Sequence, residues 1–178
     1  MNPINKSDIK AIIFDLDGTL LDSSEIYFKA INHILSKFNI SCTMAEMMVH
    51  CGAPGEDIYI YFLKKQGAYD PSRKEELKKE FDEKFSDLLK DKDIFPQDSK
   101  KALIKLKEKG YTFAMGTGAT RISTVSMVPK DILPLFDAIV TCDDVTNPKP
   151  DPETFLKASE DIRTPPAKCI VIGDGKRD

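Results

Sequence analysis

The sequence lacks the features that would place the protein at a membrane or on nucleic acid. Its 178 residues contain no apolar run approaching the length of a membrane-spanning helix, and the N-terminal segment MNPINKSDIK has no apolar signal-peptide core. Basic and acidic residues nearly balance, to a net charge of −3, so no basic surface for nucleic acid is indicated. We therefore expect a protein that binds neither membranes nor nucleic acids.

Cysteine is scarce, and the spacing of the cysteines matches no metal-binding pattern. Four cysteines are scattered along the chain without a CxxC pair, which argues against a structural zinc site. The composition, 41% hydrophobic and 31% charged, is that of a globular protein of one domain with room for an insertion. These features predict a reduced, cytoplasmic protein that is a monomer or a weak homodimer.

Continuous apolar runs predict four buried strands. They cover residues 11–15, 111–117, 136–141 and 168–174. Such runs are typical of a parallel sheet covered on both faces, and the helical patterns between the later strands give a strand–helix alternation. The predicted fold class is α/β, with a Rossmann-like parallel sheet core built from residues 1–22 and 95–178.

A block of helical periodicity interrupts this alternation after the first strand. Capping-box spacings at Thr43–Glu46 and Ser72–Glu75 indicate that helices begin at these points. Apolar residues recur on one face of each helical pattern, and charged residues fill the other. We assign residues 23–94 to a helical cap domain inserted into the core.

Acidic side chains stand at the carboxyl ends of two predicted strands. Asp15 and Asp17 follow the first strand directly, Asp174 ends the last strand, and Asp178 lies shortly beyond it. Open parallel sheets bind ligands at this edge, so we expect the carboxylates to converge there. Carboxylate and carbonyl oxygens suit a hard cation, and the pattern predicts a magnesium site.

The other two strand ends carry groups suited to phosphate. Thr117 and Gly118 end the second strand with a hydroxyl and backbone amides, and Lys149 after the third supplies a positive charge. Together with the carboxylates, these groups are equipped for phosphoryl transfer. One Asp can attack phosphorus, while a second carboxyl protonates the leaving oxygen and later deprotonates water.

Four segments resemble the four motifs of the haloacid dehalogenase-like hydrolase superfamily, in the branch with a helical cap after the first strand. They are FDLDGTLLDS, FAMGTGATR, NPKPDPETF and CIVIGDGKRD. The first is highly specific, and the resemblance covers the whole chain. It implies a magnesium-dependent phosphatase that hydrolyses a small phosphorylated metabolite through an aspartyl phosphate. Dehalogenase members lack the acid at the second Asp, so Asp17 favours phosphatases or phosphomutases.

The resemblance also implies a role for each strand-end residue. Asp15 would be the nucleophile and Asp17 the general acid and base, while Lys149 would steady the nucleophile and the phosphate. Thr117 and the amide of Gly118 would bind the transferred phosphoryl group. Relatives often carry Asn or Ser at position 118, so the glycine removes a side-chain contact and keeps the amide.

By the same resemblance, Asp15, the main-chain carbonyl of Asp17 and Asp174 would ligate magnesium, with Asp178 at or behind them. Relatives continue past the position of Asp178 with a helix and at least one more strand. We therefore expect that the C-terminal part of the core is missing and that the strand at 168–174 forms a sheet edge.

Two alternatives remain open at this point. A phosphomutase of the same fold would return the phosphoryl group to substrate instead of water. The phosphosugar mutases of this family place an arginine in the cap segment near Gly55, which weakens that interpretation. A truncated, non-catalytic protein that binds a phosphorylated ligand would keep the fold without turnover. Side chains of the cap determine substrate specificity. Their arrangement in space is not encoded in any motif, so the sequence does not identify the substrate.

Overall fold

Four parallel strands form the centre of the structure, a computed structural model that describes residues 8–90 and 92–175. The strands are β1 (Ala11–Phe14), β2 (Thr112–Gly116), β3 (Ala138–Val140) and β4 (Cys169–Ile172), in the order β3-β2-β1-β4. Ala11 is in register with Thr112 of β2 on one side and with Cys169 of β4 on the other. The α/β prediction is confirmed, and β4 is an edge strand of the described sheet.

Seven α-helices accompany the sheet within the described ranges. They are α1 (Ser24–Ser36), α2 (Met44–Met48), α3 (Gly55–Lys65), α4 (Lys74–Leu89), α5 (Gln97–Glu108), α6 (Arg121–Met127) and α7 (Glu153–Asp161). The first four follow β1 without an intervening strand and form the helical cap. No helix in the described part of the chain is both long enough and apolar enough to cross a bilayer.

Both faces of the sheet are covered along β1 and β2, as the continuous apolar strands predict, whereas Ile170, Val171 and Ile172 of the edge strand β4 are 37–40% exposed. On one face Phe14 packs edge-on against Phe113 and Phe136, with ring centroids 5.2 and 6.2 Å apart. On the other face Ile13 packs in a cluster that includes Ala158 of α7. Successive side chains of β1 thus point to opposite faces of the sheet, and the strand is anchored on both faces just before the residues at its carboxyl end.

The cap has an aromatic core in which α1 packs against α3 and α4. The ring centroids of Tyr27 and Phe85 lie 4.7 Å apart, and those of Tyr59 and Phe81 lie 5.6 Å apart. A Cβ at Gly55 would lie 2.5 Å from the ring of Phe81. The missing side chain therefore lets the start of α3 approach α4 closely.

The capping prediction is confirmed at one helix and wrong at another. Thr43 and Glu46 form the reciprocal capping box that begins α2. Before α4 the chain makes a short 3-10 turn, in which the Asp70 carboxylate accepts a hydrogen bond from the Ser72 N–H at 2.9 Å. Ser72 and Glu75 form no box, because the turn that Asp70 caps already covers the position where the helix was expected to begin.

Candidate active site

The turn after β1 is fixed by main-chain hydrogen bonds and by a glycine. The Asp15 N–H donates to the Ile172 carbonyl of β4 at 2.9 Å, and the Leu20 N–H donates to the Leu16 carbonyl at 2.9 Å. Gly18 has a φ of +87°, a conformation that L side chains rarely adopt. A Cβ at Gly18 would also lie 2.3 Å from Asp174 Oδ2. Only glycine therefore allows the carboxylate at the end of β4 to reach this turn.

A buried ion pair joins β1 to the segment that follows β3. Lys149 Nζ lies 2.6 Å from Asp15 Oδ1, and the two residues are 3% and 6% exposed. The ammonium also lies 4.5 Å from the centroid of the Phe155 ring, a favourable cation–π distance. The Lys149–Pro150 peptide bond is cis. Because separating the pair would leave two buried charges uncompensated, the contact is strongly maintained. It therefore holds the Asp15 carboxylate in a fixed orientation.

Asp17 is held by two hydroxyl groups. Ser23 Oγ donates to Asp17 Oδ1, and Thr117 Oγ1 donates to Asp17 Oδ2 at 3.4 Å. Burial raises the pKa of the Asp17 carboxyl above its ordinary value, although hydrogen bonds from Ser23 and Thr117 and the charge of Lys149 act in the opposite direction. A raised pKa suits a carboxyl that must carry a proton to a leaving group.

The residues that follow β2 contact both Asp17 and the cap loop. Thr117 is fully buried, and its Oγ1 accepts a hydrogen bond from the Ala119 N–H at 3.0 Å. A Cβ at Gly118 would lie 2.4 Å from the carbonyl oxygen of Gly52, so the cap loop rests directly on this glycine. Gly118 and Ala119 line the cavity beneath the cap. Thr117 lies against Asp17 instead, and its contact with a phosphoryl group stays a prediction.

The ends of β1 and β4 offer oxygen ligands that fit magnesium. Asp15 and Asp174 line the same cavity, and Thr19 Oγ1 donates to Asp174 Oδ1 at 3.2 Å. Within the described ranges, no three acidic, His or Cys side chains form a metal-binding cluster on their own. The predicted ligand set does not need one, because it takes the main-chain carbonyl of Asp17 along with two carboxylates. Asp178 lies outside the described residues.

A cavity of about 270 Å³ separates the strand ends from the cap. Its core side includes the carboxylates of Asp15, Asp17 and Asp174. Its cap side is mainly apolar and includes Met47 and Met48 of α2. Small-molecule sites usually occupy about 300–1,000 Å³, so the volume suits a small ligand.

Sequence reasoning missed part of this site. Ser23 is 2% exposed and donates a hydrogen bond to Asp17, whereas the sequence pattern indicates only that it begins the cap. Its position at the end of the segment FDLDGTLLDS is a signal that could have marked it. Met48 and Gly52 carry no such signal, because only the packing of the cap brings them over the strand ends.

Comparison with known proteins gives a consistent result. A family model described as haloacid dehalogenase-like hydrolase matches residues 12–178. A pyrophosphatase PpaX from Bacillus pumilus is 30% identical over 98% of this chain and 79% of its own length. A phosphorylated carbohydrates phosphatase from Thermotoga maritima is 28% identical over 94% of this chain and 77% of its own length.

Solved structures match over similar spans. A hydrolase from Pseudomonas syringae has a TM-score of 0.77 and 26% identity, over 93% of this chain and 76% of its own. A β-phosphoglucomutase from Clostridium difficile has a TM-score of 0.84 over 95% of this chain and 78% of its own. The identity to this second structure is 20%, so the likeness concerns the fold alone.

Proposed function

The chain belongs to the haloacid dehalogenase-like hydrolase family, and from this premise we propose that it is a magnesium-dependent phosphatase of a small phosphorylated metabolite. One observation carries the proposal: Asp15, Asp17 and Asp174 line a single cavity, and Lys149 is paired with Asp15 beneath it. The similarity to proteins named phosphatase and pyrophosphatase supports assignment to the phosphoric monoester hydrolases.

In the first half of the reaction, the Asp15 carboxylate attacks phosphorus and the bond from phosphorus to the ester oxygen breaks. Lys149 holds Oδ1 of Asp15 and so orients the carboxylate. Asp17, whose pKa is raised chiefly by burial, gives its proton to the departing oxygen. The products are an aspartyl phosphate on Asp15 and the free alcohol.

In the second half, Asp17 acts as a base. Its carboxylate accepts a proton from water, the water oxygen bonds to phosphorus, and the bond from phosphorus to Asp15 breaks. Ser23 and Thr117 donate hydrogen bonds to Asp17 and stabilise the charged form that this half requires. Inorganic phosphate leaves, and both carboxyl groups return to their starting states.

Asp15, the main-chain carbonyl of Asp17 and Asp174 are the groups that would hold magnesium. The bound ion would offset the repulsion between the Asp15 carboxylate and the phosphate. The close approach of Asp174 to the turn at Gly18 supports this ligand set, since it brings the end of β4 against the end of β1.

A phosphomutase is the less favoured alternative. Gly55, at the start of α3, contributes no side chain, and a Cβ there would lie only 2.5 Å from the ring of Phe81. A cation that would hold the second phosphate of a bisphosphate intermediate is therefore missing at that position. Measuring phosphate release against isomer formation separates the two activities.

Hydrolysis of p-nitrophenyl phosphate with and without magnesium tests the proposal. The wild-type protein should turn over only with the metal, and Asp15→Asn should abolish turnover. Asp98→Asn is the matched control, because the Asp98 side chain is 95% exposed on α5. A folded wild-type protein without turnover would contradict the proposal and support a non-catalytic phospholigand-binding protein.

We also propose a cytoplasmic location and a monomer or weak homodimer. All four cysteines are free, which supports a reducing compartment. The residues that line the cavity come from a single chain, so the proposed chemistry needs no second copy.

A further inference from the structure

Among the residues that the structure describes, the lining of the cavity beneath the cap presents no basic side chain to the leaving group of a substrate. None of the described residues that line it is Lys, Arg or His. Lys149 is 3% exposed and lies against Asp15, below the cavity surface. Its charge therefore acts on the nucleophile and the transferred phosphoryl group, and it does not reach the alcohol on the cap side.

The cavity carries a fourth carboxylate beyond the three at the strand ends. Asp22 lines its wall, and Asp22 Oδ1 accepts hydrogen bonds from the Ser24 N–H and Oγ at 3.0 and 2.6 Å. These bonds lower the pKa of Asp22, so the group is ionised at neutral pH. Asp22 therefore adds a fourth negative charge to the cavity lining.

The rest of the cap wall is apolar. Met47, Met48 and Ile58 line it, together with Tyr27. Burial raises the pKa of Tyr27 well above its ordinary value, so its hydroxyl stays neutral. A leaving group that enters this part of the cavity meets hydrocarbon, the Tyr27 phenol, the Cys51 thiol, the Ser24 hydroxyl and the Asp22 carboxylate.

We propose that the protein takes phosphomonoesters whose alcohol carries no negative charge, and that it rejects substrates with a second anionic group. The inference rests on the proposed phosphatase function and names its substrate class. A second phosphate or a carboxylate on the alcohol would meet no cationic side chain among the described residues of the lining and would lie near Asp22, which is strongly unfavourable. An uncharged alcohol gains contact with Met48 and Ile58, and an ammonium group can pair with Asp22.

Three esters with leaving alcohols of similar size test the inference. Propyl phosphate has a neutral alcohol, phosphoethanolamine a cationic one and phosphoglycolate an anionic one. We expect kcat/KM for propyl phosphate and phosphoethanolamine to exceed that for phosphoglycolate by about tenfold or more, and pyrophosphate to be equally poor. Equal values, or a preference for phosphoglycolate or pyrophosphate, overturn the inference.

A pair of neighbouring charge variants makes the test specific to the cavity. Met48→Lys adds an ammonium to the wall, at a residue that is 41% exposed and so tolerates the change. Val49→Lys adds the same charge next to it, at a residue that is 75% exposed and does not line the cavity. Only Met48→Lys should raise kcat/KM for phosphoglycolate, by about tenfold. A similar rise in both variants, or in neither, counts against the inference.

Binding separates a failure of this inference from a failure of the proposed function. Calorimetric titration of Asp15→Asn with the same esters and magnesium measures affinity without turnover. Tighter binding of propyl phosphate than of phosphoglycolate supports the inference even if the wild-type protein hydrolyses neither ester. Tighter binding of phosphoglycolate, or binding of none of the esters, overturns it.

Discussion

At the residue scale, Gly118 sets the distance between the cap and the core. The carbonyl oxygen of Gly52 lies 2.4 Å from the position that a Cβ at residue 118 would take. Since this neighbour is backbone and cannot rotate away, any side chain must push the cap loop outwards. The glycine thus permits a closely seated cap over the nucleophile, which helps to exclude bulk water.

Gly118→Ala should lower kcat/KM by about tenfold or more, because the displaced cap loop no longer closes over the substrate. Steady-state kinetics measures the loss, and urea unfolding checks that the fold is retained. Asp98→Asn is the control, because the Asp98 side chain is 95% exposed on α5, outside the cap. Unchanged kinetics in Gly118→Ala would contradict the packing of Gly52 on this residue.

Tyr59→Phe should raise the free energy of unfolding by about 1 kcal/mol. Tyr59 is fully buried, and its hydroxyl has no hydrogen-bond partner among the described residues, so folding removes it from water without compensation. Urea unfolding measures the change. Tyr61→Phe serves as the control, because Tyr61 is 44% exposed and its hydroxyl can stay hydrated. A loss of stability in Tyr59→Phe would mean that the hydroxyl is satisfied.

The site residues that sequence reasoning anticipated are those carried on strand ends. Asp15 and Lys149 are 134 positions apart, and the parallel topology brings the end of β1 and the end of β3 to the same edge of the sheet. The loop that follows β3 then carries Lys149 to its 2.6 Å contact with Asp15. Asp22 and Ser23 end the first motif itself, but their part in the site depends on how the cap begins, which a strand pattern does not encode.

At the element scale, Asp144 ties the end of β3 to the start of α6. Its Oδ2 accepts hydrogen bonds from the Thr141 N–H and Oγ1 at 2.8 and 2.7 Å, and from Arg121 Nη2 at 2.5 Å. Arg121 also donates from Nη2 to the Ile139 carbonyl at 3.0 Å. Because α6 follows the Gly118 loop, this junction positions the loop that lines the cavity.

Asp144→Asn should lower the free energy of unfolding at neutral pH by about 1–2 kcal/mol. Burial raises the pKa of Asp144, but the bonds from Thr141 and Arg121 outweigh it and hold the pKa below its ordinary value. The stabilisation is therefore present above the unfolded-state pKa of about 4 and is lost as the pH falls through the lower folded-state pKa.

The difference between wild type and Asp144→Asn should accordingly shrink as the pH falls below about 4. Urea unfolding at a series of pH values follows it. Asp98→Asn, with its 95% exposed side chain, should show little difference at any pH. A gap between wild type and Asp144→Asn that is independent of pH would show that the ionised carboxylate is not the stabilising form.

Elements differ in how far their sequence determines them. The four strands were predictable because each is a continuous apolar run, although β4 lies exposed at the edge of the described sheet and lacks the covering that such a run predicts. The start of α4 was not predictable, because Ser72 can belong either to a capping box with Glu75 or to a turn capped by Asp70. The structure forms the turn, and α4 begins after it. Local capping energies are small, so the surrounding packing decides between them.

At the scale of the whole molecule, the cavity exists only between the core and the cap. Its walls combine strand ends that the sequence predicts with cap residues, such as Met48, that are brought there by helix packing. This division explains why the reaction class follows from the sequence and the substrate does not. The scarcity of basic side chains among the described residues of the cavity lining is a property of the assembled fold and is not visible in any single segment.

Removal of magnesium should abolish turnover while leaving the fold intact. The core and cap are held by apolar packing and by the Asp15–Lys149 pair, which need no metal. Circular dichroism after chelation should therefore be unchanged, and added magnesium should restore hydrolysis of p-nitrophenyl phosphate. Unfolding on chelation, or full activity in the chelator, would disagree with a purely catalytic metal.

The most direct test of the central claim is to trap the phosphorylated protein. Wild-type protein is mixed with substrate and magnesium, quenched in acid, digested and examined by mass spectrometry for an acyl phosphate. The account predicts a phosphoryl group on Asp15 that is lost in Asp15→Asn and in the absence of magnesium. A phosphoryl group on another residue, or undiminished turnover by folded Asp15→Asn, would contradict it.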